Sequence, residues 1–174
     1  GRCRQGIVHD TRKGKLRRSL LDHLQGTQTL LHQAGYPEAL CTAGLLHSVY
    51  GTNKFTHKSI DPTIERHRDL VRLSAGVEAE RLAFLFHSIK RPRVLHEFVR
   101  REHRGDHERV RLEGRDGEDI EMTEGEAWQL VALELANLLE QAEYSEATWP
   151  DFKATEAYHR IAPKALPYCR EKYG

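Results

Sequence analysis

Three histidines lie in strongly apolar stretches of this sequence, where their side chains could take part in chemistry. They are His23 in "LLDHLQGTQTLL", His47 in "AGLLHSVYGT" and His87 in "LAFLFHSI". A neutral imidazole binds transition metals well, and packed helices bring together histidines that are distant in sequence. A buried histidine can equally be a structural residue that is hydrogen-bonded to a backbone carbonyl or a hydroxyl. The positions of these histidines in the sequence are therefore compatible with a metal site and with structural histidines that are hydrogen-bonded in the core.

The segments that carry His23 and His47 are predicted to be helices. Leucines recur at helical spacing over residues 16–34, and Gly35 is expected to end that helix. The next helix is predicted over residues 37–50 with a proline in its first position. It contains so few charges that it must be mostly buried, which places His47 and its neighbour in the middle of an apolar helix.

Further helices are predicted in the middle of the chain. Asp61 precedes a proline and is expected to cap a helix over residues 62–73. The sequence "VEAERLAFLFHSI", residues 77–89, predicts another buried helix. A proline ends that helix and is followed by a third predicted helix over residues 93–103. These segments extend the helical pattern over most of the chain.

The sequence changes character at residues 109–121. Apolar and charged residues alternate there around an Asp-Gly pair, which predicts a short two-stranded hairpin. Thr123 and Glu126 then form a capping-box pattern at the start of a long apolar helix. Trp128 and Trp149 are expected to pack in the core or against the C-terminal segment. The prediction is an all-α domain of about six to eight helices with one hairpin.

Length and composition predict one globular domain without a membrane span. The chain has 174 residues, 30% of them charged, and no apolar run reaches the ~20 residues needed to cross a bilayer. We divide it into a basic N-terminal tail (1–15), a helical domain that includes the hairpin (16–142) and a C-terminal helical extension packed on the domain (143–174). The first 18 residues carry seven Arg or Lys and one Asp, so the tail is a candidate docking segment.

Charge and cysteine content limit the partners and the compartment. A formal net charge of +1 does not favour nucleic-acid binding. Basic clusters such as residues 90–111 could still bind a small polar or anionic ligand. The three cysteines, Cys3, Cys41 and Cys169, form no disulfide or zinc-site pattern and favour a reducing compartment. The sequence begins at Gly1, so the expected location is the cytoplasm or an organelle interior after removal of a targeting peptide.

The contexts of His23 and His47 resemble the HD superfamily of metal-dependent phosphohydrolases. The likeness covers about residues 16–140 and rests on "LLDHLQGTQTLL", "AGLLHS" and the distant "LELANLL". The resemblance implies a metal site built from three helices. One helix would supply the first histidine, the next helix would supply a His-Asp pair, and a distant helix would supply the final aspartate. The sequence is most similar to uncharacterised HD-like domains that carry "L-F-H-S-x-Y-G-T" at this point, for which the resemblance implies no activity.

Both expected aspartates are replaced in this chain. Ser48 follows His47, and Asn137 stands where the final aspartate would fall. Neutral oxygens are poor substitutes for carboxylates around a dication, and the lost charge neutralisation is worth several kcal/mol in a low-dielectric pocket. This substitution argues against standard phosphohydrolase activity.

Three functions remain open from the sequence. His23 and His47 could bind iron, zinc or manganese together with Glu134 or His87, in an enzyme of unassigned reaction. Alternatively, a metal-free pocket could bind a small polar ligand through the two histidines, Ser48, Tyr50 and Asn137. The third and favoured hypothesis is a catalytically retired HD-like domain that is a structural or regulatory subunit of a larger assembly.

Overall fold

The computed structural model describes residues 19–51, 60–91, 93–101 and 109–142. These ranges contain six helices and one antiparallel two-stranded hairpin, which confirms the all-α class with a single hairpin. In chain order the elements are α1 (Leu20–Gln33), α2 (Glu38–Leu46), α3 (Glu65–Ala75), α4 (Val77–Ser88), α5 (Arg93–Arg101), β1 (Arg109–Glu113), β2 (Asp119–Thr123) and α6 (Glu124–Ala142). The predicted tail, the C-terminal extension and Trp149 lie outside the described residues.

Helix α1 begins later than the leucine spacing predicts, because a capping box fixes its start. The Ser19 hydroxyl accepts a hydrogen bond from the Asp22 backbone N–H, and the Asp22 carboxylate accepts one from the Ser19 backbone N–H. The helix therefore starts at Leu20 and not at residue 16. Its predicted end is confirmed, since Gly35 adopts a φ of 77° that lets the chain turn.

Helix α2 is shorter than predicted, which moves His47 out of the helix interior. The helix ends at Leu46, His47 is its C-cap, and residues 47–50 form a turn before Gly51 at a φ of 81°. Helices α1 and α2 approach closely at Gly44, where a Cβ atom would lie 2.7 Å from the Leu31 Cδ1. The missing side chain at this position permits the contact that sets the two histidine-bearing helices side by side.

The predicted start of α3 is wrong. Asp61 does not cap the helix; its carboxylate accepts hydrogen bonds from the backbone N–H and the hydroxyl of Thr63, at 3.0 and 2.7 Å. This local turn competes with capping, so the helix begins only at Glu65 with Ile64 as its N-cap. The predicted break between α3 and α4 is confirmed at Gly76, which has a φ of 92°.

The hairpin is joined to the end of α4. Strands β1 and β2 pair from Arg109 opposite Thr123 to Glu113 opposite Asp119. An isolated bridge between Ile89 and the hairpin turn then attaches the hairpin to the residues that follow α4. At the other end the predicted capping box is confirmed, because Thr123 and Glu126 exchange hydrogen bonds at 2.8 and 3.1 Å and start α6.

The hydrophobic core surrounds α6, which packs against α1, α2, α4, α5 and both strands. Trp128 is fully buried in this core and meets the Phe98 ring edge-on, with centroids 5.1 Å apart, as predicted for a core tryptophan. A smaller apolar cluster around Tyr50, Val71 and Ala83 attaches α3 to α4. None of the described helices is long and apolar enough to span a membrane.

Candidate functional site

The fold brings His23 and His47 into direct contact. His23 lies in the first half of α1, His47 caps α2, and their Nε2 atoms are 3.2 Å apart although 24 residues separate them. The two rings meet edge-to-face with centroids 5.0 Å apart. The pairing of these two residues, predicted as the centre of a site, is therefore present in the structure.

His47 is neutral, and its tautomer follows from its contacts. Its Nδ1 donates a hydrogen bond to the Gly44 carbonyl at 2.6 Å, so its Nε2 carries a lone pair directed at His23. Burial lowers the pKa of His47 to about 3, with smaller contributions from His23 and from the Arg91 cation. The side chain is 2% exposed. At neutral pH His47 can therefore accept a hydrogen bond or bind a metal through Nε2.

Glu140 on α6 completes a polar chain that the sequence analysis missed. Its carboxylate lies against the Nδ1 of His23. Because His47 offers only a lone pair, the His23 Nε2 must donate to it if the two rings are hydrogen-bonded directly. In the contact with Glu140, a proton lies between the His23 Nδ1 and the carboxylate. The available signal was spacing, since Glu140 is one helical turn after Asn137 and lies on the same face.

Glu134 and Asn137 are occupied by other partners. The Arg91 Nη1 donates to the Glu134 carboxylate at 2.7 Å, and both side chains are almost fully buried. The same guanidinium stacks 3.6 Å above the Phe86 ring and donates from Nε to the Phe86 carbonyl at 3.0 Å. Asn137 contacts Glu134 at 3.5 Å, and its oxygen accepts from Gln141 at 2.9 Å. Arg91, which the sequence analysis did not single out, therefore neutralises the carboxylate predicted as a ligand.

Tyr50 belongs to a second ionic network. Its hydroxyl donates to Glu80 at 2.8 Å, and Glu80 also receives hydrogen bonds from Arg68 at 2.7 and 3.1 Å and from Arg72 at 3.1 Å. Burial acts to raise the pKa of Glu80, but the hydrogen bonds from Arg68 and Tyr50 outweigh it and lower that pKa overall. Tyr50 therefore contributes to the junction of α3 and α4.

Ser48 and His87 have no described hydrogen bond to the histidine pair. Ser48 is buried in the turn after α2, at 7% exposure. His87 lies on α4 with its Nδ1 2.9 Å from the Gly51 carbonyl, and its ring centroid is 6.1 Å from that of Tyr50. The predicted group is thus divided: His23 and His47 touch each other, Glu134 and Asn137 touch each other, and Tyr50 and His87 form a third set.

The described residues do not form a complete metal site. Within ranges 19–51, 60–91, 93–101 and 109–142, no three His, Cys, Asp or Glu side chains are grouped so that they could hold one ion. Cys41 is buried, and burial raises the pKa of its thiol to about 11, which keeps it protonated. Among the described side chains, the Nε2 atoms of His23 and His47 are the candidate metal ligands.

Comparison with known proteins finds one family model that matches part of the chain. The family model for a domain of unknown function (DUF6817) matches residues 9–91. No curated protein and no solved structure matches the chain.

The family match covers part of the candidate site. It includes the histidine pair and ends at Arg91, before the helix that carries Glu134, Asn137 and Glu140. Similarity to this family therefore applies to the α1–α4 half of the site. The arrangement of the α6 side chains is an observation made on this chain alone.

Chemically, the site is a largely buried line of polar groups in contact with one another. It runs from the Gly44 carbonyl through His47 and His23 to Glu140, and the Arg91–Glu134 ion pair lies beside it. Such a network can stabilise a unique packing of α1, α2 and α6. The same two Nε2 atoms could instead bind one metal ion, with Gly44 and Glu140 holding the other ring nitrogens.

Proposed function

We propose that this chain is a divergent HD-like domain that does not hydrolyse phosphate esters and has a structural or regulatory role in a larger assembly. The observation that carries the proposal is that both carboxylates near the histidine pair are held by cationic or proton-donating partners. Glu134 pairs with Arg91, and Glu140 contacts His23. Ser48 and Asn137 provide neutral oxygens where the HD resemblance implies aspartates.

Energetics support the absence of hydrolysis. A dication that recruited Glu134 would have to remove it from Arg91 and leave a buried guanidinium without its carboxylate, at a cost of ~3–5 kcal/mol. The Arg91 charge also acts on His47, where it adds to the forces that disfavour a nearby cation. A metal held by two imidazoles alone would be a weak generator of hydroxide, because coordination number and geometry would depend on solvent.

A second candidate function, metal-dependent chemistry at His23 and His47, is favoured by one specific observation. Two nitrogens bound at about 2.0–2.1 Å to a tetrahedral zinc ion lie roughly 3.4 Å apart. The Nε2 atoms are 3.2 Å apart. Each Nδ1 faces an oxygen, from Gly44 or Glu140, as is usual for histidines that ligate a metal. Iron, zinc and manganese are the ions to test for this alternative.

Metal content distinguishes the two candidates. Purified protein would be incubated separately with Zn²⁺, Fe²⁺ under anaerobic conditions and Mn²⁺, desalted, and measured by elemental analysis and by phosphatase assay. The proposal expects far less than one ion per chain and no hydrolysis. The matched pair of variants is His23→Ala and His32→Ala, because His32 is an exposed histidine on the same helix. Stoichiometric metal that is lost only in His23→Ala would overturn the proposal and support the second candidate.

A reconstruction variant tests the HD resemblance itself. Ser48→Asp combined with Asn137→Asp replaces the two missing carboxylates at buried positions. If the site derives from an HD metal centre, this double variant should bind metal more tightly than the wild type. Unchanged metal content in a folded double variant, judged by circular dichroism, would remove the main support for the resemblance.

The assembly role has a separate test. Tagged full-length protein recovered from its native cells should elute in a complex of defined mass and stoichiometry. Deleting residues 2–18, which carry seven basic side chains, should weaken that complex if this tail is the docking segment. A monomeric wild-type protein under these conditions would contradict the subunit role.

A further inference from the structure

Arg115 occupies an unusual position for an arginine in the turn of a hairpin. Its backbone N–H donates to the Ser88 carbonyl at the end of α4, at 2.9 Å, next to the bridge between Ile89 and Gly114. Gly114 has no room for a side chain, because a Cβ atom would lie 2.7 Å from the Glu118 carbonyl oxygen. These contacts fix the turn against α4 and direct Arg115 inward at a constrained point of the fold.

Two nitrogens of the Arg115 guanidinium have no acceptor in the described part of the chain. Its Nε and Nη2 are buried and have no hydrogen-bond partner among the described residues. Its Nη1 lies 3.3 Å from the His87 Nδ1, which is also 2.9 Å from the Gly51 carbonyl. One ring nitrogen cannot donate to Gly51 and accept from Arg115 at once, so this contact satisfies only one of the two groups.

Charge is equally unbalanced around Arg115. In the part of the chain that the structure describes, no carboxylate forms an ion pair with it. Burial lowers the pKa of Arg115, and repulsion from Arg91 lowers it further. Arg91 is itself paired with Glu134. Arg115 is partly buried, and a cation whose buried N–H groups have no acceptor or counter-ion is destabilising; an anion bound beside it would reduce that penalty.

We propose that Arg115 is the main element of a binding site for a small oxyanion, a phosphoryl or carboxylate group, at the junction of α4 and the hairpin. Nε and Nη2 form one side of the guanidinium fork, which donates two parallel hydrogen bonds to two oxygens of such a group. His87 adds a neighbouring polar group, and the nearby Arg91 adds positive potential. This site is separate from the His23–His47 contact and does not depend on the function proposed above.

The experiment measures anion-dependent stability of the full chain in a chloride buffer of constant ionic strength. Inorganic phosphate and acetate would be titrated separately while thermal unfolding is followed, so that tetrahedral and planar oxyanions are distinguished. The expected result is a saturable rise in Tm with at least one of them. Arg115→Met should weaken the apparent affinity by roughly 10- to 100-fold, the loss of a charge-assisted paired hydrogen bond.

A control variant and a stability comparison keep the proposal falsifiable. Arg111→Met removes a charge from the same hairpin, but this arginine is exposed and paired with Glu121, so its anion response should match the wild type. Without oxyanion, Arg115→Met should be at least as stable as the wild type, because it removes a partly buried cation whose Nε and Nη2 have no acceptor among the described residues. An anion effect that is absent, unsaturable or equally reduced in both variants would overturn the proposal. So would an Arg115→Met variant that is strongly destabilised in chloride alone.

Discussion

The ion pair between Arg91 and Glu134 provides the sharpest test of the buried polar site. Replacing Glu134 with leucine removes the carboxylate that lies 2.7 Å from the Arg91 guanidinium, which also contacts the Phe86 carbonyl and ring. Breaking one side of a buried pair costs ~3–5 kcal/mol. At roughly 2–4 °C per kcal/mol for a chain of this size, Tm should fall by about 6–20 °C. Urea unfolding followed by circular dichroism would measure the free energy directly.

The double variant makes this test specific to the pair. Combining Glu134→Leu with Arg91→Met removes both charges and keeps side chains of similar volume, so most of the lost stability should return. A control at an exposed pair, Arg93 with Glu97, should change stability by less than about 1 kcal/mol. If Glu134→Leu alone costs less than about 1 kcal/mol, the two side chains are not paired in solution. The energetic argument against Glu134 as a metal ligand would then fail.

Three further predictions test the elements that position the site. Gly44→Val should cost about 1–3 kcal/mol in urea unfolding, because its Cβ atom would lie 2.7 Å from the Leu31 Cδ1 and 3.5 Å from the Gln28 backbone, which leaves no space for two further methyl groups; an unchanged midpoint would contradict the close approach of α1 and α2. Thr123→Ala should cost about 1 kcal/mol through loss of its hydrogen bond with Glu126, whereas an unchanged stability would show that the capping box contributes nothing. The pKa of His47 is about 3 in the folded chain and about 6.5 in the unfolded chain. As pH falls below 6.5, this imidazole is protonated in the unfolded chain but not in the folded chain, so the folded state loses stability. Between pH 6.5 and 5 the wild type should lose about 2 kcal/mol more than His47→Gln, and equal slopes would refute a buried neutral imidazole.

Local signals predicted the helical architecture well where a single motif decides the structure. The Thr123–Glu126 capping box and the turns at Gly35 and Gly76 are where the sequence places them. Local competition explains the errors. Asp61 forms hydrogen bonds with Thr63 instead of the helix, and α2 ends at Leu46 although the apolar pattern continues.

Pairing between distant residues accounts for what the sequence could not predict in the site. His23 and His47 were predicted together from the spacing of a known motif, and they are in contact. The Arg91–Glu134 pair joins residues 43 positions apart, and no periodicity within either segment encodes that choice of partner. Glu140 follows Asn137 at helical spacing, but its contact with His23 depends on the position of α6 against α1, which that spacing does not give. Such contacts are set by helix packing, which hydrophobic patterns constrain only loosely.

The charge of Arg91 acts on both the histidine pair and the proposed oxyanion site, so the two sites are coupled electrostatically. This charge lowers the pKa of both His47 and Arg115. At His47, however, burial is the largest cause and Arg91 the smallest, so an anion bound at Arg115 should leave the imidazole neutral. The hydrogen bonds from Gly44 through His47 to His23 therefore persist whether or not the anion binds. Failure of the oxyanion proposal would consequently leave the metal and hydrolysis tests unaffected, and the converse also holds.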